Sequence, residues 1–267
     1  MLIVVPTLNS HTLLPRLLAS LQEQSWPHWQ LLFIDGPSGP EHRQWLQQCC
    51  SDDHRCRWIR QDPAEPGIFG AMNQGFAAAH PDDWLLFWGS DDWAASSTVL
   101  AEVMVALEQA ATGPVPRQPR PDLVVCSGRY AAADGRLSRP SAFRPLFGSK
   151  ALLDSAAYRR ALQCGSTPPH QATLIGPGAR RQLARYASGF RLSADLDYFL
   201  QLSRSRALHV QCLDLELVHM AAGGISAQQT KRRLREVRRA YRRAFGWLWW
   251  CPFLARYLRR LASLVPI

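Results

Sequence analysis

Short apolar runs that end in polar or acidic residues, separated by stretches of helical periodicity, are the feature that most narrows the fold. Residues 2–5, 31–34 and 84–88 are apolar throughout, and each is long enough for one buried strand. They lead into Pro6-Thr7-Leu8-Asn9, Asp35-Gly36 and Gly89-Ser90-Asp91-Asp92. A shorter run at 57–59 reads as a further strand. Between the first two runs, Leu13, Leu14, Leu17, Leu18 and Leu21 fall on one helical face behind Ser10 as a candidate N-cap. Helices are also expected over 71–79 and 97–110. This alternation predicts a largely parallel sheet covered on both faces. Ligands on such sheets bind beyond the carboxyl ends of the strands. Asn9, Asp35 and the Asp91–Asp92 pair all fall at those ends, and their convergence says more than any one of them.

The acid pair sets an electrostatic problem. Two carboxylates in one turn repel each other and are costly to hold beside a core. A divalent cation removes that cost, and oxygen donors suit Mg²⁺ or Mn²⁺. A solvated turn is the plain alternative for the pair, and an Asx turn is the plain alternative for Asp35.

With 267 residues and 47% hydrophobic composition the chain can bury a sizeable core. Its net charge of +10 favours anionic partners, whether nucleotides, phospholipid headgroups or nucleic acid. The seven cysteines are odd in number and scattered. Cys49, Cys50 and Cys56 lie near His42 and His54 without a CxxC spacing, so reduced thiols in a cytosolic protein are expected rather than zinc. Met1 runs straight into the first apolar segment, and no secretory signal is expected.

Beyond a proline-rich stretch at 112–121 the rhythm changes to shorter strands at 123–126 and 129–131 and several helices. The expected organisation is one domain over 1–227, with a nucleotide-binding half (1–110) and an acceptor-binding half (122–227), and a helical extension over 228–267. Residues 231–243 of that extension carry eight basic side chains. Leu234, Val237, Tyr241, Ala244 and Leu248 recur there at helical spacing, and Trp247, Trp249, Trp250 and Phe253 follow. The apolar run is too short to span a bilayer and contains Pro252. Its aromatics and arginines suit an anionic membrane surface; packing on the domain with the basic face in solvent stands beside that reading.

Taken together, Val5-Pro6-Thr7-Leu8-Asn9, Ile34-Asp35-Gly36, the segment 67–75 ending in Asn73-Gln74-Gly75, and Gly89-Ser90-Asp91-Asp92 resemble the family 2 glycosyltransferases in order and spacing. His170-Gln171-Ala172 is similar to a His-Gln-Ala/Ser segment of bacterial polysaccharide members. Residues 194–200 resemble their Ala-Asp-x-Asp-x-Phe-Leu helix, and Gly223-Gly224-Ile225-Ser226 matches a further loop. The resemblance covers about residues 1–230.

It implies an inverting enzyme of the GT-A fold: an α/β domain with a mostly parallel central sheet flanked by helices. It implies a nucleotide-diphospho-sugar donor, UDP-sugar first with GDP- or dTDP-sugar as alternatives, and a saccharide or lipid-linked saccharide acceptor in cell-surface polysaccharide synthesis. Pro6, Thr7, Asn9 and Asp35 would line the nucleotide pocket, with Asp35 on the base and Asn73 near the ribose or phosphates. Asp91 and Asp92 stand at the DXD-type motif that holds Mn²⁺ or Mg²⁺, Asp92 being the more direct ligand. Asp195 matches the catalytic base. His170 is a candidate contact to phosphate or acceptor, or else a structural hydrogen-bonding residue.

The departures fall elsewhere. Glu65, counted with the nucleotide pocket, replaces a usual Asp, Gly70 replaces a second, and Pro40 ends the Asp35 loop without its last acid. Arg129, Arg144, Arg180 and Arg181 are candidate phosphate contacts or ordinary surface arginines. Two rival readings are a sugar nucleotidyltransferase, which should carry a Gly-rich phosphate loop near the first strand, and a nucleic-acid-binding protein using the basic tail. The second leaves the strand-end acids unexplained.

Overall fold

The computed structural model describes residues 1–112, 119–143, 152–222 and 229–262. Most of the proline-rich stretch, Arg144 and the Gly223–Ser226 motif lie outside them.

The chain begins as β1 (Leu2–Thr7), α1 (Leu14–Gln22), β2 (Gln30–Asp35), α2 (Pro40–Asp52), β3 (Cys56–Arg60), α3 (Ile68–Ala78), β4 (Leu85–Phe87), β5 (Asp92–Ala94) and α4 (Val99–Thr112). It continues as β6 (Leu123–Ala131), β7 (Leu152–Leu153), α5 (Ser155–Gln163), a 3-10 turn at His170–Ala172, β8 (Thr173–Ile175), α6 (Pro177–Gln182), α7 (Ala194–Leu202) and β9 (Val210–Ala221). Two helices close it, α8 (Thr230–Phe245) and α9 (Trp250–Ala262).

One sheet runs in the order β3-β2-β1-β4-β8-β6-β9-β5, with β7 on β9. The first four strands are parallel, as the strand–helix rhythm predicts. Thr7 stands level with Asp35, and Val4 with Phe87, so the polar ends of β1, β2 and β4 meet at one edge. β8 then pairs antiparallel with both β4 and β6, and β5 antiparallel with β9.

Continuous apolar strands follow from burial on both faces. Leu2, Val4, Leu32, Ile34, Leu85 and Phe87 pack toward α3, α5, α7 and α8. Their alternates Ile3, Val5, Leu31, Phe33, Leu86 and Trp88 pack toward α1, α2 and α4.

Local details differ from the sequence expectations. α1 starts at Leu14 with no side-chain cap, because the Ser10 hydroxyl is turned to Ser90. Leu13 is half exposed rather than on the apolar face. α3 begins three residues earlier than expected, behind Gly67 at φ 87°, where a side chain would strain the backbone. The two short strands at 123–131 are one strand, kinked by register shifts around Ser127. Pro252 does not interrupt its helix: it sits in the first turn of α9, where a missing N–H costs nothing.

Candidate active site

The edge at the ends of β1 and β4 is stitched by two serines. The Ser90 hydroxyl donates to the Pro6 carbonyl (3.1 Å) and receives the Ser10 hydroxyl (2.9 Å). Asp91 and Asp92 leave this turn. Gly89 permits it, since a Cβ there would come within 2.8 Å of Asp91 Oδ1.

Asp92 is only 3% exposed. Its Oδ2 accepts the Gly89 N–H at 2.6 Å. Burial pushes its pKa up to about 8, the Gly89 N–H opposes that, and Asp91 adds to it. Among the described residues no cationic side chain acts on the carboxyl. Among the described residues no third His, Cys, Asp or Glu joins the pair. A buried acid with an acidic neighbour and no counter-charge fits a hard divalent cation completed by ligand or water oxygens.

Asp35 behaves differently. Its carboxylate is fully buried and its Oδ1 accepts the Ser38 hydroxyl (2.5 Å) and the Thr7 hydroxyl (3.2 Å). His42 Nε2 lies 3.2 Å from the same oxygen, and Arg43 Nε lies 3.8 Å from Oδ2. Burial holds the pKa of His42 below its ordinary value, with Asp35 opposing. Among the described residues Oδ2 and His42 Nδ1 have no hydrogen-bond partner. Asn9 closes the same loop in a left-handed conformation (φ 49°), accepting the Gly39 N–H (2.7 Å) while its own N–H donates to Ser38 (2.9 Å). Thr7, Asn9 and Asp35 thus form one knot, with Pro6 beside it on β1.

Asp195 is the second residue of α7, where an acid suits the positive end of the helix dipole. It makes no side-chain hydrogen bond or ion pair among the described residues. It acts electrostatically on His170 and Tyr186. His170 Nε2 is 2.7 Å from the Tyr186 hydroxyl, and its ring stacks on Phe87 at 5.7 Å and 11°. Burial lowers its pKa, against the pull of Asp195. His170 therefore forms part of the wall beside the proposed base.

That wall also joins the two halves of the site. Phe87 ends β4, and Trp88 donates its indole N–H to Gln171 (3.0 Å) before the chain turns into Asp91 and Asp92. Asn73 fastens the other side: its Oδ1 accepts the Tyr186 N–H (2.8 Å) and its Nδ2 donates to the Tyr186 carbonyl (3.3 Å). Glu65 pairs with Arg185 at 2.5 Å. A Cβ on Gly70 would lie 1.8 Å from the Glu65 carbonyl oxygen, so the two departures from the family pattern belong to one arrangement.

Sequence reading missed the anchor of α7. Glu236 of α8 is buried, and its carboxylate accepts the backbone N–H groups of Arg191, Leu192 and Ser193 at 2.8–3.1 Å. A lone acid among eight cations is the signal that was available. Two candidate arginines are engaged structurally. Arg180 donates to the carbonyls of His80, Pro81 and Asp83, and Arg129 pairs with Glu216 at 2.6 Å.

The model of glycosyl transferase family 2 matches residues 2–145. A PGL/p-HBAD biosynthesis glycosyltransferase of Mycobacterium bovis is 28% identical over 206 residues, which are 77% of this chain and 70% of that protein. The structure of S. aureus TarS 1-349 superposes with a TM-score of 0.63 at 14% identity, covering 91% of this chain and 66% of that one, so this chain spans about two thirds of its length. The mannosyltransferase PcManGT of Pyrobaculum calidifontis, in complex with GDP-Man and Mn²⁺, gives a TM-score of 0.61 at 12% identity over 100% of this chain and 76% of its own. These likenesses carry the GT-A fold.

Proposed function

The chain belongs to glycosyl transferase family 2 and is a glycosyltransferase, and from that premise we propose that it transfers a sugar, with inversion, from a nucleotide-diphospho-sugar to a saccharide or lipid-linked saccharide of the cell surface. One observation carries the reading. Asp92 is buried beside Asp91 with no cationic partner among the described residues, just beyond the strand that Phe87 ends, and Phe87 stacks on His170, on which Asp195 acts electrostatically.

Asp92, with Asp91, would hold the divalent cation, Mn²⁺ or Mg²⁺; when bound it supplies Lewis-acid charge that stabilises the departing nucleoside diphosphate. PcManGT was solved with Mn²⁺, which supports this metal class. Thr7, Pro6, Asn9 and Asp35 would frame the nucleotide. Asp35 already accepts two hydroxyls, so it would shape the base pocket through Ser38 and Thr7 and through its Oδ2, which faces Arg43 but accepts no hydrogen bond among the described residues. TarS has been solved with UDP-GlcNAc and PcManGT with GDP-Man; UDP-sugar is the donor favoured here. Asn73 and Glu65 would border the ribose and phosphates through the Tyr186 and Arg185 contacts described above. His170 holds the wall beside the acceptor hydroxyl.

Asp195 would take the proton of that hydroxyl as its oxygen attacks the anomeric carbon from the face opposite the leaving group. Such general-base help is worth roughly 10²–10⁴-fold. The basic C-terminal helices favour a lipid-linked acceptor and a peripheral position on the cytoplasmic face of a membrane.

A thermal-shift screen of UDP, GDP and dTDP, each with and without Mn²⁺, tests the donor reading. Metal-dependent stabilisation by one nucleotide is expected, and no shift with any of them would overturn it.

A further inference from the structure

The last two helices divide their residues between the domain and the outside in an unusual way. On α8 the row Arg232, Glu236, Arg239 and Arg243 is turned to the domain. Arg232 pairs with Glu236, Arg239 donates to the Gly189 carbonyl, and Arg243 pairs with the buried Asp197 of α7. The neighbouring row Lys231, Arg235, Arg238 and Arg242 is exposed at i, i+4, i+7 and i+11, and meets no carboxylate among the described residues. Arg238 instead lies over the ring of Trp249 at 4.9 Å, which ties this row to the turn leading into α9.

α9 is equally two-sided. Its inner face is seated: Phe253 meets Tyr241 edge-on at 6.1 Å, Arg256 donates to Thr167, and the backbone at Ala255–Arg256 presses on Gly165. A Cβ at Gly165 would stand 2.4 Å from the Arg256 nitrogen, so this contact is close backbone packing. The outer face is apolar. Trp247 is 81% exposed, Leu258 65%, Leu261 61%, and Trp250 and Leu254 50% each. Trp250, Leu254, Leu258 and Leu261 follow one another at steps of four and three, a stripe along α9, and Trp247 stands in the 3-10 turn just before it. α8 and α9 contain one acid between them, and it is the buried Glu236. No helix among the described residues is long and apolar enough to cross a membrane.

An exposed apolar stripe marks an interaction surface. Its neighbour here is a row of unpaired cations with no exposed acid, which excludes a partner of like charge and favours a negatively charged one that also accepts tryptophan and leucine. An anionic lipid bilayer offers both, the headgroup region to the cations and the acyl boundary to the aromatic stripe. We propose that the outer face of α8 and α9 docks the enzyme on an anionic bilayer, with Trp247, Trp250, Leu254 and Leu258 inserted and Lys231, Arg235, Arg238 and Arg242 against the headgroups. The same helix holds Glu236 under the start of α7, so docking sets the base-bearing helix a fixed way round relative to the lipid surface. This rests on the acceptor reading above and narrows it to a lipid-linked saccharide.

The test is co-sedimentation of the full chain with vesicles of 30% phosphatidylglycerol in phosphatidylcholine, against phosphatidylcholine alone, across a salt series. Binding to the anionic vesicles that weakens with salt is expected. Arg235→Gln/Arg238→Gln/Arg242→Gln should weaken it about a hundredfold, taking about fivefold per charge. Trp247→Ser/Leu254→Ser/Leu258→Ser should abolish it at any salt. All six positions are exposed, and UDP with Mn²⁺ should stabilise each variant as it does the parent, which separates loss of docking from loss of the donor site. Equal binding to neutral vesicles, binding unchanged in both variants, a dimer that the stripe variant dissociates, or salt-sensitive capture of RNA in preference to vesicles would each overturn the proposal.

Discussion

Replacing Glu236 should uncouple the base from the donor site. In the native chain this carboxylate accepts three backbone N–H groups ahead of α7, at 2.8 Å from Leu192, 3.0 Å from Ser193 and 3.1 Å from Arg191. Hydrogen bonds to a charged acceptor contribute roughly 1.5–3 kcal/mol each, and a buried donor left without a partner costs about 1–3 kcal/mol. The three are not additive, and Arg191 is exposed enough to find water. Glu236→Ala should therefore cost about 3–5 kcal/mol of stability, at the severe end for one substitution. Glu236→Gln keeps one carbonyl oxygen but turns an amide toward N–H groups, and should cost about half as much. Asp195 lies two residues beyond the anchored segment, whereas the proposed donor residues sit on or just after β1 and β2, on α3 and the loop before it, and in the turn from β4 into β5. The Gln variant should thus lose at least tenfold in transfer rate while its affinity for UDP with Mn²⁺ changes less than twofold. Urea unfolding, donor titration and sugar transfer to acceptor give the three readouts. An Ala variant within about 0.5 kcal/mol of the parent, with full turnover, would refute the anchoring argument.

Asp195→Asn should keep nucleotide binding and lose roughly 10²–10⁴-fold in transfer, measured at saturating donor; full turnover would remove Asp195 from the reaction. Gly70→Ala should destabilise by about 1–3 kcal/mol in thermal melts, because its methyl overlaps the Glu65 carbonyl and the loop must move. A neutral result there would mean that the loop accepts the family's usual side chain. The Arg55 guanidinium and the Gln22 amide hold the Asp53 carboxyl well below the usual range, against its burial. Its contribution is present above the unfolded carboxylate pKa of about 4 and fades as pH falls below it. Asp53→Asn should accordingly lower stability at pH 7, with the gap to the parent closing in urea melts toward pH 2.

The parallel part of the sheet was legible because each short apolar run ended in a polar residue, and a parallel sheet brings such ends to one edge. That rule alone put Asn9, Asp35 and Asp92 beyond or at the ends of strands, where the structure has them. The family resemblance supplied Asp195, which composition leaves as an ordinary surface acid. α2 gave no signal, since His42, Leu46 and Cys49 are its only buried residues and the rest is polar. In the second half β6 was read as two strands, because it is kinked at Ser127, and β8 was not read at all, because three residues show no period-two alternation over a useful length. Glu236 escaped because its partners are backbone N–H groups: standing alone among eight cations marked it, but no side-chain pattern records what it holds. The full burial of Asp35 could not be read either: it depends on Ser38 and His42 closing over it, a tertiary event.

The most direct test of the central idea is calorimetric titration of UDP in the presence and absence of Mn²⁺, with the parent and with Asp92→Asn. Asp92 is a buried acid raised to about 8 with no counter-charge among the described residues. Without metal, the cost of ionising it grows from the unfolded carboxylate pKa of about 4 up to pH 8, so the Asn variant should be the more stable of the two at pH 8. With metal the order reverses, and only the parent should gain UDP affinity from Mn²⁺, by tenfold or more. Equal Mn²⁺-dependent binding in both proteins would contradict the assignment of this acid pair and, with it, the mechanism built on it.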